Sequence, residues 1–380
     1  MTINPNNIPP PLFIKDQQQF AQALDDLARQ DTLAVDTEAN SLYAYQEQVC
    51  LIQISTRERD YILDPLTIPN LTPLGEIFWD PEIEKIFHAS EYDILILYED
   101  FQFEFQNLFD TMITAQILGR KKLGYDSLLE EIYGVKISKK YQRANWGKRP
   151  LSEEMLHYAQ VDTHYLIGIR EALGEELQRS RLEPIAREDF QRAARVHLED
   201  RAEKLAPCWR INGARQLPPQ KAAVLQKLSE LRDQMARELD RPLFKVMSTK
   251  TLLILAENSP TSRKELNRLQ VAKQRNIQRF AEGILAAVRE GLQAEPMRPP
   301  RRKRPDEDFI NREKALKQWR KHTARRMNVN SAVVLPRSLL DNLAAENPRT
   351  QEQLARVLQE VPWRLEQFGD EILRVLNKAS

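Results

Sequence analysis

Leu33-Ala34-Val35-Asp36-Thr37-Glu38 runs three apolar residues straight into two carboxylates one residue apart. Such a run reads as a buried strand that ends in acid. Alternate side chains along a strand share a face, which points Asp36 and Glu38 the same way. Two buried carboxylates on one face repel each other and lose solvation. A hard divalent cation resolves that conflict, because Mg2+ takes oxygen ligands. Taken alone, Asp-x-Glu also fits a surface strand end with two solvated acids. The distinction turns on whether further acids stand in the same context.

Two further groups do. Phe87-His88-Ala89-Ser90-Glu91-Tyr92-Asp93 follows a short apolar strand and runs into Ile94-Leu95-Ile96-Leu97. Farther on, Ser152 opens a helical pattern with Glu153 and Glu154 in its first turn, where the helix dipole favours acids. On that helix Tyr158 and Asp162 are four residues apart and share a face.

The ordered set resembles the DEDD superfamily of 3′-5′ exonucleases. Asp36-Thr37-Glu38 matches its first motif, Asp93 after His88-Ala89 the second, and Tyr158-x-x-x-Asp162 the third in its tyrosine form. His157, five residues before Asp162, also gives the spacing of the histidine form. The flanking Trp146, Arg149-Pro150-Leu151-Ser152 and Tyr165-Leu166 favour Tyr158. With Leu51-Ile52-Gln53-Ile54 and Phe109-Asp110-Thr111, the chain is most similar to the ribonuclease D group. The resemblance implies an α/β ribonuclease H-like exonuclease domain, a mixed sheet with flanking helices, over residues 12–205. It implies catalytic Asp36, Glu38, Asp93, Tyr158 and Asp162, with the four acids holding two divalent ions, Mg2+ or Mn2+. In that scheme Asp36 bridges the ions, Glu38 and Asp162 serve the water-bearing ion, Asp93 serves the other, and Tyr158 orients the water. His88 is expected to pack at the strand end.

The second half carries an internal repeat with a period of 88 residues. Leu228, Arg232 and Ala236 recur as Leu316, Arg320 and Ala324, and Phe280, Ile284 and Leu285 as Phe368, Ile372 and Leu373. Ser262-x-x-Glu265 and Thr350-x-x-Gln353 both read as capping boxes. The units resemble HRDC domains, small all-α modules of four or five short helices. They are expected at 210–294 and 308–380, after a flexible N-terminus at 1–11 and around a Pro/Arg-rich linker at 295–307.

Composition sets the bounds. At 380 residues more than one domain is expected, and 29% charged with 42% hydrophobic residues fits a soluble globular chain. No apolar run approaches the ~18 residues of a membrane span, and no signal-peptide pattern opens the chain. Cys50 and Cys208 alone make no disulfide framework, so a cytoplasmic setting is expected. No organic cofactor is expected, since no phosphate-cradling glycine loop is present. The net charge of +1 hides an asymmetry. Residues 1–205 carry 22 Lys and Arg against 35 Asp and Glu, a balance of −13; residues 206–380 carry 34 against 20, a balance of +14. An acidic half with metal ligands and a basic half with nucleic-acid contacts is the expected division.

The stretch 120–149 interleaves basic residues with Tyr125, Tyr141 and Trp146, which suits a path for single-stranded nucleic acid. Candidate contacts are Lys139, Lys140, Arg143 and Trp146, joined by Arg301, Arg302, Lys303 and Arg304 of the linker. By resemblance the activity is 3′-5′ exoribonuclease, acting as a monomer on transfer-RNA precursors with 3′ extensions. The alternatives are a DNA exonuclease of the Werner type and a nucleic-acid-binding protein with a decayed nuclease domain.

Overall fold

The computed structural model describes residues 8–195, 206–300 and 306–379. Its organising element is a six-stranded sheet of β1 (Leu12–Ile14), β2 (Thr32–Ala39), β3 (Val49–Ser55), β4 (Asp60–Leu63), β5 (Glu84–Phe87) and β6 (Leu108–Asp110). Their order across the sheet is β1-β4-β3-β2-β5-β6. β3 and β4 run antiparallel, with Gln53 opposite Ile62, whereas β2 and β5 run parallel, with Leu33 opposite Lys85. β6 adds parallel to β5, pairing Phe109 with Ile86. The sheet is mixed, and β3 is buried along its whole length, as its mostly apolar sequence favours.

Two elements depart from the sequence reading. β6 is only three residues long, too short for an alternating pattern to declare itself. Helix Tyr125–Tyr133 lies inside the stretch read as a basic arm; Leu128 and Leu129 face the core, and Gly134 closes it in the left-handed region at φ 68°.

The repeat holds at the level of elements. Short helices Leu243–Val246 and Ser331–Val334 correspond, as do Thr249–Asn258 and Arg337–Glu346, each displaced by 88 residues. Ser262 and Thr350 accept from the backbone N–H of Glu265 and Gln353 at 3.3 Å, so both caps form. The reciprocal bond reaches one residue farther out than in a capping box: Glu265 accepts from Thr261 N–H and Gln353 from Arg349 N–H, both at 2.8 Å. Each copy has its own apolar core, around Leu228, Leu252 and Ile284 in the first and Leu316, Leu340 and Ile372 in the second.

Compact units do not follow the linear division. One takes the described residues of Met1–Glu38, Val49–His197 and Arg304–Ser380; the other takes those of Ala39–Gln48 and Leu198–Lys303. The second helical copy therefore belongs with the sheet, and the loop after β2 belongs with the first copy. In the latter unit Tyr45 donates its hydroxyl to Asp233 at 3.0 Å and its N–H to Asp240 at 3.1 Å. Both partnerships span well over a hundred residues, and no local pattern marks them. Residues 1–7 of the expected flexible terminus lie outside the described residues, as do Arg301, Arg302, Lys303 and Arg304 of the linker.

Candidate active site

β2 carries Asp36 and Glu38 on one face, as the period of a strand demands. Helix Glu91–Phe101 places Asp93 in its first turn, and helix Glu153–His164 presents Tyr158 and Asp162. Ser152 caps the latter by accepting from Met155 N–H at 3.2 Å.

The four acids feel one another. Burial and the charges of Asp93, Asp162 and Glu38 push the Asp36 carboxyl well above the usual carboxylate range. Burial, followed by the charges of Asp162 and Asp93, lifts Glu38 to about 9. Burial lifts Asp93 and Asp162 to about 7 each. Asp36, Glu38 and Asp162 are half-buried, keeping some contact with solvent. Asp93 is 6% exposed and accepts a short hydrogen bond from the Thr37 hydroxyl. Thr37, between the two β2 acids, thereby tethers the third.

Burial raises the Tyr158 phenol as well, helped by the negative charges of Asp162, Glu38 and Asp36. Its hydroxyl thus stays protonated across the neutral range, within the electrostatic reach of the acids. His157 turns elsewhere, its Nδ1 lying 3.4 Å from Gln160 Oε1. Four residues back from Asp162 is about 40° round a helix and five back about 140°, which accounts for the difference. We predict that Tyr158→Phe lowers kcat by about tenfold to a thousandfold with little change in KM, the range for losing a catalytic hydrogen bond. His157→Ala should cost under about tenfold, since its ring serves only a local bond. Both variants measured at saturating metal from about pH 6 to 9 check this. A large loss in His157→Ala beside a near-normal Tyr158→Phe would move the chain to the histidine form.

Asp110 positions the site, a role the sequence reading did not give it. Its carboxylate accepts from Met112 and Ile113 N–H at 2.8 and 3.0 Å, capping helix Thr111–Ile117. The same carboxylate accepts from Ala89 and Ser90 N–H at 3.3 and 2.8 Å, holding the turn that launches the Asp93 helix. Ala89 sits at φ 64°, a left-handed conformation that costs a non-glycine residue energy and persists where neighbours enforce it. His88 packs beside it, Nδ1 at 2.9 Å from Thr111 Oγ1. Tyr125 steadies the other side by donating to Val161 O, one residue from Asp162. An Asp directly before a helix was the available signal for Asp110.

Trp146 corrects the sequence reading. It is 1% exposed, packed with Cys50, Leu51, Ile62 and Ala159, and its ring lies 6.0 Å from that of Tyr158. A ring so enclosed supports the catalytic helix and presents no face to a base. Arg149 is structural too, paired twice with buried Asp64 at 2.6 Å and donating to Cys50 O at 2.9 Å. Lys139 pairs with Asp126 and Lys140 with Glu154, each at 2.7 Å and each largely exposed, and Arg143 is exposed. Exposed pairs of this kind are worth little.

The donor set suits hard divalent cations: oxygen ligands only, with negative charge that burial and mutual repulsion penalise. Among the described residues no three His, Cys, Asp or Glu side chains stand in a finished arrangement for a metal ion. Asp93 is turned onto Thr37, whose hydroxyl it accepts from. By identity and placement Asp36, Glu38, Asp93 and Asp162 are the residues that would hold such ions.

Comparison with known proteins gives the same class. The family model described as 3′-5′ exonuclease matches residues 11–178, and that described as HRDC domain matches 221–288 and 310–376. Residues 11–178 thus form a 3′-5′ exonuclease domain, and two HRDC domains follow it. Within that class it is a homologue of ribonuclease D. The crystal structure of Escherichia coli RNase D matches with a TM-score of 0.70 at 27% identity, covering 97% of this chain and 99% of that one. Ribonuclease D of Granulibacter bethesdensis is 27% identical over 398 residues, 98% of this chain and 94% of the relative. The exosome complex exonuclease RRP6 of Saccharomyces cerevisiae is 34% identical over 266 residues, 66% of this chain. The chain spans about a third of the length of RRP6 and of the RRP6-like 2 protein of Arabidopsis thaliana, 36% and 34% respectively.

Proposed function

We propose that this chain is a divalent-metal-dependent 3′-5′ exoribonuclease that removes nucleotides singly from RNA 3′ ends, with 3′-extended transfer-RNA precursors among its substrates. A cytoplasmic monomer is part of the same reading. The observation that carries it is the convergence of four charge-strained carboxylates with a protonated Tyr158. The E. coli protein is described as an exoribonuclease involved in structured RNA processing, which supports RNA as the substrate class.

Divalent ions at such a site supply an activated water and neutralise charge developing on phosphate. Mg2+ and Mn2+ both fit this reading, since all four ligands are carboxylates. The protein's own residues do the rest. Asp36 and Glu38 hold one face of the pocket from a rigid central strand. Asp93 and Asp162 close it from two helix ends that Asp110 and Tyr125 hold in place. Tyr158, protonated throughout the neutral range, donates to the attacking water and fixes its direction.

The rival readings make different predictions. A DNA exonuclease would carry the same acids, and a decayed nuclease would lack one of them. All four acids and Tyr158 are present and oriented, which disfavours decay. The test compares a 3′-extended transfer RNA with a single-stranded DNA of the same 3′ sequence, in Mg2+, Mn2+ and EDTA. RNA shortening that stops in EDTA is expected. Undiminished hydrolysis in EDTA would exclude the metal reading, and faster loss of DNA than RNA would move the chain to the DNA class.

A further inference from the structure

The helix that carries Tyr158 and Asp162 is gripped from behind by one carboxylate. Two positions along a helix is about 200° round its axis, so Gln160 and His164 stand on the side opposite Tyr158 and Asp162. Four residues apart, they share that side with each other. Both meet Asp60. Gln160 Nε2 donates to its Oδ2 at 2.6 Å, and His164 Nδ1 donates to the same oxygen at 2.8 Å. The other oxygen, Oδ1, accepts from the Ser55 hydroxyl at 2.6 Å. Ser55 Oγ in turn lies 2.7 Å from Thr163 Oγ1. Gln160, Thr163 and His164 are thus joined to one acid, and the remaining neighbour of Asp162, Val161, accepts at its carbonyl from Tyr125.

Asp60 stands on a firm base. It and Ser55 face each other as a ladder pair of β3 and β4, and the turn between them closes with Thr56 N–H on Arg59 O at 2.8 Å. Asp60, Ser55, Gln160 and Thr163 are all buried, so a bond lost among them leaves a polar group unsatisfied. Burial pushes the Asp60 carboxyl up, but the bonds from His164, Ser55 and Gln160 outweigh it and hold the group below its ordinary value. Gln160 also gives its amide to Pro9 O at 2.7 Å, which fixes the direction of its side chain.

We propose that Asp60 is a positioning residue for the exonuclease reaction: by holding Gln160, His164 and, through Ser55, Thr163, it sets the direction in which Asp162 meets a divalent ion. The proposal rests on the reading of Asp162 as a metal ligand. A ligand displaced by about 1 Å costs on the order of a hundredfold in rate, and outer partners of a metal site set about tenfold to a hundredfold in affinity. The agent is the set of bonds. An asparagine at position 60 can turn its oxygen to Gln160 and His164 and its NH2 to Ser55, whose hydroxyl accepts while donating to Thr163.

The test is the Mn2+ affinity of the full chain without RNA, read from the electron-spin signal of free Mn2+, beside kcat and KM on RNA at saturating metal. Asp60→Leu should weaken Mn2+ binding by about tenfold to a hundredfold and lower kcat with little change in KM. Asp60→Asn should regain most of both. Gln160→Met, which removes the bond from the helix side, should give the same split, and it carries the test alone if Asp60→Leu does not fold. A merely structural role would lower the melting temperature and leave the Mn2+ affinity of the folded protein at the parent value. That result would overturn the proposal and leave the exonuclease reading intact. Asp60→Asn as impaired as Asp60→Leu would overturn it too, making the charge of Asp60 the agent. A parent that binds Mn2+ and digests no RNA would instead sink the exonuclease reading, while the affinity ratios still decide the role of Asp60. A parent that binds no Mn2+ would overturn both.

Discussion

Asp36→Asn should lower the exonuclease rate by at least about a thousandfold, because several kcal/mol of charge stabilisation leave with the central ligand. The same substitution should make the metal-free protein more stable. Asp36 is held well above the usual carboxylate range by burial and by three neighbouring acids, and Glu38, Asp93 and Asp162 are raised to about 9, 7 and 7. A raised acid binds more protons folded than unfolded, so stability falls as pH rises from about 4, the unfolded carboxylate value, through the folded values. In EDTA the melting temperature should therefore decline between about pH 5 and 9, and Asp36→Asn should blunt that decline. One unit of relieved shift is worth about 1.4 kcal/mol, or about 2–4 °C in a unit of this size. Melting curves of both proteins in EDTA and in Mg2+ check this, and the added ion should stabilise the parent more than the variant. A variant that keeps a tenth of the activity, or that melts below the parent in EDTA at pH 8, would count against a carboxylate cluster built for cations.

What the sequence disclosed is what acts over short range. Asp36 and Glu38 declare themselves through the period of a strand, and Tyr158 and Asp162 through that of a helix. The repeat shows because helix packing conserves spacing between apolar positions such as Leu252 and Leu340. Trp146 was misread because its neighbours in sequence are basic, whereas its neighbours in space are Cys50, Leu51 and Ile62. Asp110 caps the helix that follows it, but its second duty, holding Ala89 and Ser90, depends on a turn 20 residues away. The −13/+14 charge split suggested two functional halves. The second helical copy, however, lies in the same compact unit as the catalytic sheet. That pairing rests on residues 175 apart, and no composition count contains it.

Arg364 is the residue on which that pairing turns, and its loss should give the largest stability effect in the chain. Its guanidinium is wholly buried and gives Nη1 to Glu188 at 2.7 Å and Nη2 to Asp189 at 2.9 Å, besides the two carbonyls of the short helix. Burial nevertheless raises both acids above their ordinary values, although Arg364 pulls them down. The desolvation of the trio thus outweighs part of its attraction, the expected balance for ions taken far from water. Two consequences separate this from an ordinary surface pair. Arg364→Met strands the buried carboxylate of Glu188 and the half-buried one of Asp189 and should cost about 3–5 kcal/mol. Replacing all three residues, as Arg364→Met/Glu188→Met/Asp189→Leu, should recover most of that loss, because nothing charged is left unpaired. Removing the whole second half would strand Glu188 in the same way, so truncation at residue 206 is expected to weaken the nuclease fold as well as RNA binding. Urea unfolding followed by tryptophan fluorescence measures the effect, with Trp363 beside the clamp as one reporter. A single variant within about 1 kcal/mol of the parent would show that the second copy is held by its apolar contacts and that the clamp contributes only orientation.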